Sequence, residues 1–279
     1  MTTALRAGIR RGLTEFGISL RTPGDVLFII IGLVIVAVVL WLNRDAEFAP
    51  GAPLGWYVVP SVLTIQLLFI ATYGLATVIV TEREDGTLMR ARSLPSGLRV
   101  YAVGVTTRTL AEIACTVLPT LVIAAIILGG DLGLDALGVL QVLAMLALGT
   151  VALTPFGFVV GTVFRNPRAV GGWGFLVVGA VALVSGLFQP LSTLPAWVQP
   201  IGLVLPLYWI GHAMRSAFLP DEFGVVEIWG GWHVGLAFAI VAAWAVVGLV
   251  LAPRLLRRVA RRETASGIEA RRQAALQRA

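Results

Sequence analysis

One polar stretch, residues 81–96, lies between two long apolar runs and restricts what this chain can fold into. A single Asp or Arg at the centre of a membrane-spanning helix costs about 2.5–3.5 kcal/mol of insertion free energy. Several such residues together cannot lie in hydrocarbon, so we expect residues 81–96 to form a water-facing connector between two spans. Its charged residues are Glu82, Arg83, Glu84, Asp85, Arg90 and Arg92.

The composition is that of an integral membrane protein. The mean hydropathy is +0.90 and 13% of the residues are charged, whereas a soluble domain carries about 25%. All 21 basic residues are Arg, so the chain lacks the Lys of a phosphate-binding P-loop and a Lys for Schiff-base chemistry. This excludes P-loop ATP hydrolysis and Schiff-base chemistry in this chain, which we expect to be a transport subunit and not an enzyme.

The net charge of +6 could indicate a nucleic-acid partner, but arginines beside membrane spans commonly set topology instead. We expect the lipid bilayer, and no nucleic acid, to be the charged surface that the chain meets. One Cys and two His residues do not make a metal site, so no metal or other cofactor is expected in this chain.

Three regions follow from the distribution of apolar residues, and the predicted fold class is all-α integral membrane. Residues 1–24 form an amphipathic helix in the headgroup plane, residues 25–253 a six-span membrane domain, and residues 254–279 a basic cytosolic tail. The spans are predicted at residues 26–42, 56–80, 101–128, 136–164, 169–188 and 232–251. The apolar positions of the amphipathic helix are Leu5, Ile9, Leu13, Phe16 and Leu20.

Arginine is unequally distributed between the two sides of these spans. Residues 6–21, the connector, residues 165–168 and the tail are rich in Arg, while the opposite loops hold only Arg44 and Arg215 beside several acids. By the positive-inside rule, both termini and the connector lie in the cytosol. The expected location is a bacterial inner (plasma) membrane, which the chain crosses several times.

Residues 189–220 are apolar enough for a seventh span, but prolines interrupt them repeatedly. Proline removes a helical hydrogen bond, and a seventh span would place the Arg-rich tail outside. We therefore expect a re-entrant or interfacial pair of short helices, a hairpin on the outer side before the last span. Trp197, Tyr208 and Trp209 are expected at the headgroup level.

Within the connector we expect a short helix that Thr81 caps and Pro95 ends. Acidic residues in its first turn would face the positive end of the helix dipole. Leu88 and Met89 supply apolar anchors. Such an element, fixed to two spans, is suited to transmit motion from a soluble partner.

Residues 82–96, Glu-Arg-Glu-Asp-Gly-Thr-Leu-Met-Arg-Ala-Arg-Ser-Leu-Pro-Ser, resemble the E-R-E-x-G-T signature of ABC transporter permeases of the type-2 exporter class. That class includes drug- and lipid-export permeases, and its N-terminal helix, six spans and outer hairpin agree with the layout predicted here. Residues 205–208 together with Arg215 resemble the family's N-P-x-x-Y…R stretch, with Leu205 where Asn is frequent.

The resemblance implies a half-transporter. Two permeases, identical or homologous, form the translocation path, and two copies of a cytosolic ABC ATPase bind beneath them with ATP and Mg²⁺. The implied substrate is an amphipathic drug or lipid, exported in a way that gives multidrug or antibiotic resistance. The resemblance assigns coupling to the ATPase to Glu82, Arg83, Glu84, Asp85, Gly86, Thr87, Leu88, Arg90 and Arg92.

Two further constellations lie within the spans. Arg108 and Glu112 are four residues apart, so they are placed to form an intramembrane ion pair on one helix face. The second and fifth spans carry polar residues that in the resembled family line the substrate path, although interhelical hydrogen bonding explains them equally well. These path candidates are Gln66, Phe69, Tyr73, Thr77, Ser185 and Gln189.

Three other functions stay open from the residues alone. A proton-coupled secondary carrier would use Glu112 and would not need ATP. An intramembrane enzyme would use His212 or His233, but no arrangement of nucleophile and base accompanies them. A scaffold would only recruit the ATPase, so ATP-dependent movement of a substrate distinguishes the exporter from a scaffold.

Overall fold

The computed structural model describes residues 2–49, 52–94, 96–130, 132–164 and 167–262. The predicted tail from residue 263 onward lies outside these described residues. The structure describes the backbone alone, without side chains, at residues 2, 48, 49, 52, 53, 84, 89, 92, 167 and 252–262.

Helices make up most of the described chain. They are α1 (Thr2–Ser19), α2 (Pro23–Leu42), α3 (Leu54–Leu68), α4 (Leu75–Glu84), α5 (Thr87–Ser93), α6 (Gly97–Ile127), α7 (Ala136–Val163), α8 (Pro167–Ala169), α9 (Phe175–Val184), α10 (Gln199–Val204), α11 (Pro206–Phe218) and α12 (Val234–Arg262). The π-helical segments Phe69–Gly74 and Val170–Gly174 join α3 to α4 and α8 to α9. Short 3₁₀ turns lie at Leu191–Thr193 and Asp221–Val226, and the strands β1 (Glu47–Ala49) and β2 (Ala52–Pro53) pair antiparallel after α2.

Five helical stretches of the described chain are long and apolar enough to cross a membrane, which confirms the predicted all-α membrane fold. They are Pro23–Leu42, Leu54–Arg83, Gly97–Ile127, Ala136–Val163 and Val234–Leu251. The predicted fifth span is shorter than expected, because the helix at residues 167–184 ends before a turn in which Gly186 has φ 69°. At 1.5 Å per residue this helix is about 27 Å long. Helices are the form expected here, because only they and closed barrels satisfy the backbone hydrogen bonds in lipid.

The bundle has two distinct ends. At one end, which we call the connector end, α4 passes into α5 and α6, and α7 ends beside them. The opposite end, the hairpin end, contains the loop after α2, the loop between α6 and α7, and residues 185–233. α7 packs against α4, α11 and α12. Glycine makes this close packing possible: a Cβ built on Gly157 would lie 2.8 Å from the Ala71 carbonyl oxygen, and one on Gly161 would lie 3.1 Å from Ile79 Cβ.

α1 packs on α6 along a face of glycines. A Cβ built on Gly12 would lie 2.3 Å from the Gly104 carbonyl oxygen, and one on Gly8 would lie 2.6 Å from Val103 Cβ. The predicted apolar stripe of α1 faces away from the protein, since Leu5 is 52% and Leu13 is 53% exposed. α1 is therefore an amphipathic helix whose glycine face is docked on a span and whose apolar face is free.

The expected pair of short helices is α10 and α11, and α11 is inserted among the spans. It contacts α3, α7 and α12, and Gln141 of α7 donates from Nε2 to the Ala213 carbonyl at 2.7 Å and to Ser216 Oγ at 2.8 Å. The headgroup level predicted for Tyr208 and Trp209 stays a prediction, but neither side chain is free to contact headgroups. Both side chains are 2% exposed or less, because the apolar face of α11 turns inward against the spans.

Adding a methyl group at Gly12 tests the close contact between α1 and α6. We expect Gly12→Ala to lower the free energy of unfolding by about 1–3 kcal/mol, the usual cost of overpacking a tight contact. Equilibrium unfolding in detergent measures this change. Gly17→Ala is the matched control on the same helix, since nothing lies within 4 Å of a Cβ built there. The control should be neutral or stabilising by up to about 1 kcal/mol from helix propensity, and equal loss in both variants would contradict the contact.

Candidate functional site

The connector begins inside the C-terminal end of α4. The helix continues to Glu84, and the chain turns at Asp85 and Gly86, where Gly86 has φ 72°. A side chain with a Cβ is strained in this left-handed conformation, which is why glycine occupies the turn. α5 follows and covers seven residues.

The prediction that Thr81 caps the short helix was wrong. Its hydroxyl donates to the Thr77 carbonyl oxygen at 3.0 Å within α4. The short helix starts after Gly86. The turn at this glycine, and not a capping side chain, separates the short helix from α4. Glu82 and Glu84 therefore lie in the last turn of α4 and not in the first turn of α5.

Leu88 anchors α5 to the spans. Its side chain is 1% exposed and packs in a cluster with Leu75, Ile79, Tyr101 and Phe158. Burial of a leucine side chain stabilises a fold by about 1.5–3 kcal/mol. α5 is thus attached to α4, α6 and α7 by an apolar side chain and does not move as a free loop.

Arg83 ties the connector to the end of α7. Its Nη1 donates to the carbonyl oxygens of Gly161 and Phe164, at 3.1 and 3.3 Å. The last carbonyls of a helix have no partner within that helix, and the helix dipole is negative there. A guanidinium satisfies both requirements, so Arg83 holds the connector against the C-terminal end of α7.

Glu82 faces α1. Arg11 donates from Nη2 to Glu82 Oε1 at 3.0 Å and from Nε to Glu15 Oε1 at 2.5 Å. The Arg11 Cζ atom lies 4.8 Å from the centre of the Tyr101 ring. Burial alone would lower the pKa of Arg11, but Glu15 and Glu82 outweigh it and raise the pKa above its usual value. Arg11 is therefore a permanently charged link between α1 and the connector.

Other connector residues point outward. Asp85 and Arg90 are exposed, Arg90 Nη2 donates to Thr87 Oγ1 at 3.0 Å, and Leu94 is 64% exposed. The side chains of Glu84 and Arg92 are among those not described. The sequence-predicted coupling residues thus divide into an inward set that fixes the connector and an outward set that is free to meet a partner.

The path candidates of the second span form two separate groups. Gln66 exchanges hydrogen bonds with Thr120 of α6, at 2.9 and 3.3 Å, so its polar atoms are used between helices. Phe69 and Tyr73 belong to the π-helical segment and form an aromatic trio with Phe175 of α9, with ring centres 5.2–6.1 Å apart. The trio connects the second span to α9, which belongs to the predicted fifth span.

The remaining path candidates do not share one surface. The Thr77 and Ser185 hydroxyls donate to the carbonyls of Tyr73 and Val181, four residues earlier in the chain. The placement of Gln189 on the fifth span was wrong. The helix ends at Val184, and Gln189 lies exposed in the loop that follows.

Arg108 and Glu112 are paired as the spacing predicts. Arg108 Nε donates to Glu112 Oε1 at 2.7 Å, and Arg108 Nη2 lies 3.9 Å from Asp25 Oδ2 at the start of α2. The Ser19 hydroxyl donates to Asp25 Oδ2 at 2.6 Å. The cluster therefore connects the end of α1, the start of α2 and α6.

A second ionic cluster is buried at the hairpin end. Arg215 of α11 donates from Nε to Glu227 Oε1 at 2.7 Å, and the Tyr208 hydroxyl donates to Glu227 Oε2 at 2.8 Å. Arg215 is fully buried and Glu227 is 3% exposed. Burial opposes ionisation of Glu227, but Arg215 and His212 outweigh it and hold the pKa of Glu227 below its usual range. Glu227 therefore fastens α11 to the segment before α12.

His212 extends this cluster to the start of α12. The backbone N–H of His233 donates to His212 Nε2 at 2.9 Å, so this nitrogen carries no hydrogen. The His212 Nδ1–H then faces Glu227 Oε2 at 3.2 Å. The imidazole is thus oriented by the His233 backbone, and its Nδ1 lies close to the Glu227 carboxylate without a well-aligned hydrogen bond.

The cluster also reaches α3. Arg215 Cζ lies 5.4 Å from the centre of the Tyr57 ring, and the Tyr57 hydroxyl donates to the Gly186 carbonyl at 3.1 Å. Arg215 Nη1 and Nη2 have no hydrogen-bond acceptor among the described residues. The cluster therefore joins α3, the turn after α9, α11 and the start of α12.

Sequence reasoning missed the Arg215–Glu227 pair. The signal was present, because Arg215, His212 and Glu227 are polar residues within an apolar stretch, and a buried charge needs a partner. From the sequence they were placed on the outer side, and His212 beside Arg215 and His233 beside Glu227 were weighed as enzyme groups, but Arg215 was not paired with Glu227. No group of His, Cys, Asp and Glu in the described chain is arranged to hold a metal ion.

Comparison with known proteins gives one family. A family model described as ABC-2 type transporter matches residues 15–219 of this chain. The chain is 27% identical over 206 residues to the daunorubicin resistance ABC transporter permease protein DrrB1 of Streptomyces coeruleorubidus, an alignment that covers 70% of this chain and 66% of the relative.

A further similarity is to the probable multidrug ABC transporter permease YbhR of Escherichia coli, in strain K12 and in O157:H7. The identity is 24% over 185 residues, and the alignment covers 65% of this chain and 47% of YbhR. The chain thus spans about half to two thirds of the length of these relatives.

Removing the charge of Glu227 tests the buried cluster. We expect Glu227→Gln to lower the free energy of unfolding by about 3–5 kcal/mol, because it leaves Arg215 buried and unpaired. The carboxylate pKa is held down, so Glu227 stabilises the fold above about pH 4.5, and this contribution fades as the pH falls further. Unfolding in detergent from about pH 8 to pH 5 should show a constant difference from the wild type. Glu222→Gln, at an exposed acid of the same segment, should change stability little; a similar loss there would contradict the cluster's role.

Proposed function

The chain belongs to the ABC-2 type transporter family, and from this we propose that it is the permease subunit through which an ATP-driven exporter moves its substrate. Two cytosolic ABC ATPase subunits would bind ATP and Mg²⁺, and a second permease, identical or homologous, would complete the path. The relatives named above carry drug-resistance and multidrug designations. We propose an amphipathic drug or lipid as the substrate.

The observation that carries the proposal is the construction of the connector. Leu88, Arg83 and Glu82 fix it to α7, α6 and α1, and Asp85 and Arg90 stay exposed on its outer side. An element held in this way transmits a push from a partner into three helices at once. A loop without these contacts would absorb the same displacement.

We place the connector end in the cytosol. Arg6, Arg10, Arg90 and Arg99 are exposed at this end, which agrees with the positive-inside rule. Both termini would then be cytosolic and α10–α11 would lie on the outer side. ATP binding on the partner would shift the permease pair between inward- and outward-facing states, and the coupling would be reciprocal.

The aromatic trio is the best candidate for contact with a substrate. Phe69 and Tyr73 are half-buried, and Phe175 is 52% exposed on the surface of α9. Aromatic faces bind flat apolar molecules with an offset-stacked or edge-on geometry. Gln66 is a weaker candidate, because Thr120 occupies its amide.

The permease function predicts transport that needs ATP. Everted vesicles that contain this chain and its ATPase should accumulate an amphipathic dye only when ATP is added. A proton uncoupler should leave that accumulation unchanged, because Glu112 is paired with Arg108 and is not proposed to carry protons. Accumulation that continues without ATP and stops with the uncoupler would instead establish the proton-coupled carrier.

Charge reversal at Asp85 tests the docking surface of the connector. We expect Asp85→Arg to weaken binding of the ATPase subunit about tenfold or more, since like charges brought together at an interface repel strongly. Quantitative co-purification measures the affinity, and ATP-dependent transport should fall with it. Glu222→Arg is the matched reversal at an exposed acid of the hairpin end and should leave both unchanged. Normal ATPase binding and transport by Asp85→Arg would exclude this surface.

A further inference from the structure

An open groove lies on the free side of α1. It has a volume of about 440 Å³ and is lined by Arg6, Ile9, Arg10, Leu13 and Thr14. All five belong to a helix whose rotation is fixed, because the glycine face that includes Gly12 is in contact with α6. The groove therefore cannot turn toward the protein, and whatever fills it comes from outside this bundle.

The groove combines two free cations with an apolar wall. Arg6 and Arg10 are both exposed, are one helical turn apart, and pair with no acidic side chain in the described part of the chain. Arg11, by contrast, is bound to Glu15 and Glu82. Ile9 is 40% and Leu13 is 53% exposed beside the two guanidinium groups.

The apolar side of the groove continues along α1. Leu5, on the same face as Ile9 and Leu13, is 52% exposed, and Leu20 just after α1 is 42% exposed. The apolar face of a helix that lies at a membrane surface is buried against the acyl chains. A lipid on this face has its acyl part beside Ile9 and Leu13 and its charged part between Arg6 and Arg10.

We propose that this groove binds the phosphate of an anionic phospholipid, with the acyl chains lying beside Ile9 and Leu13. Guanidinium groups bind phosphate through charge-assisted, often bidentate hydrogen bonds, and basic residues near a membrane surface favour anionic headgroups. The bound lipid contacts α1, and Arg11 on the same helix contacts Glu82. Lipid composition would therefore act on the position of the connector, and this proposal does not depend on which substrate is moved.

Lipid retention tests the proposal directly. The purified full chain is placed in micelles with equal amounts of phosphatidylglycerol and phosphatidylcholine of the same acyl length, and native mass spectrometry counts the lipid that stays bound. We expect the wild type to retain phosphatidylglycerol preferentially. Removal of each arginine should lower this preference about fivefold, and Arg6→Gln/Arg10→Gln about 25-fold. High salt should reduce the preference of the wild type.

Matched controls distinguish the groove from general charge. Arg99→Gln removes an exposed arginine at the same end of the bundle, outside the groove, and should keep the preference. The double variant should melt like the wild type, because both side chains are exposed. Excess inorganic phosphate should displace little phosphatidylglycerol if the acyl chains contribute.

Three results would overturn the proposal. The first is an unchanged lipid preference in the double variant; if that variant also binds the ATPase subunit more weakly, the groove is a protein contact. The second is an equal loss of preference in Arg99→Gln, and the third is complete displacement of the lipid by inorganic phosphate.

Discussion

The contact between α1 and α6 determines the arrangement of the whole connector end. Because Gly12 lies against the Gly104 backbone, α1 approaches α6 closely enough for Arg11 to reach Glu82 across Tyr101. Glu82 is in the last turn of α4, so the helix outside the spans is joined to the second span by a charge pair. Arg83, on the next position, binds the end of α7. The connector is therefore defined by contacts from three directions before any partner is present.

The two ends of the bundle are stabilised by different kinds of interaction. At the connector end, the pairs are half-buried and stand beside exposed charges, so a partner can reach this surface. At the hairpin end, Arg215 and Glu227 are buried together, and each would be very costly to bury without the other. The Tyr208 hydroxyl donates to the other carboxylate oxygen, and His212 packs beside it. The buried cluster makes the inserted hairpin a fixed part of the bundle.

Hydropathy and the distribution of arginine were enough to predict the helical membrane fold, the connector and the short helices before the last span, since each depends on the local cost of placing polar groups in lipid. Features that depend on tertiary contacts were missed. The extension of α4 past Thr81 requires Arg11 and Tyr101 to accommodate Glu82. The early end of the fifth span follows from the turn at Gly186, and the pairing of Arg215 with Glu227 follows from how α11 is inserted. The coupling roles of Glu82 to Arg92 stay predictions.

The π-helical segments place an additional constraint on the second and fifth spans. A π turn contains about one residue more than an α turn, and one residue corresponds to about 100° of helix rotation. The segment Phe69–Gly74 thus sets the angular phase between the half of the second span at the hairpin end, with Tyr57, and the half that carries Glu82 and Arg83. Val170–Gly174 does the same for the fifth span. Insertion or deletion of a single residue here would rotate the connector by about 100° about the helix axis. Its side chains would all be present, but they would no longer face the residues that they contact.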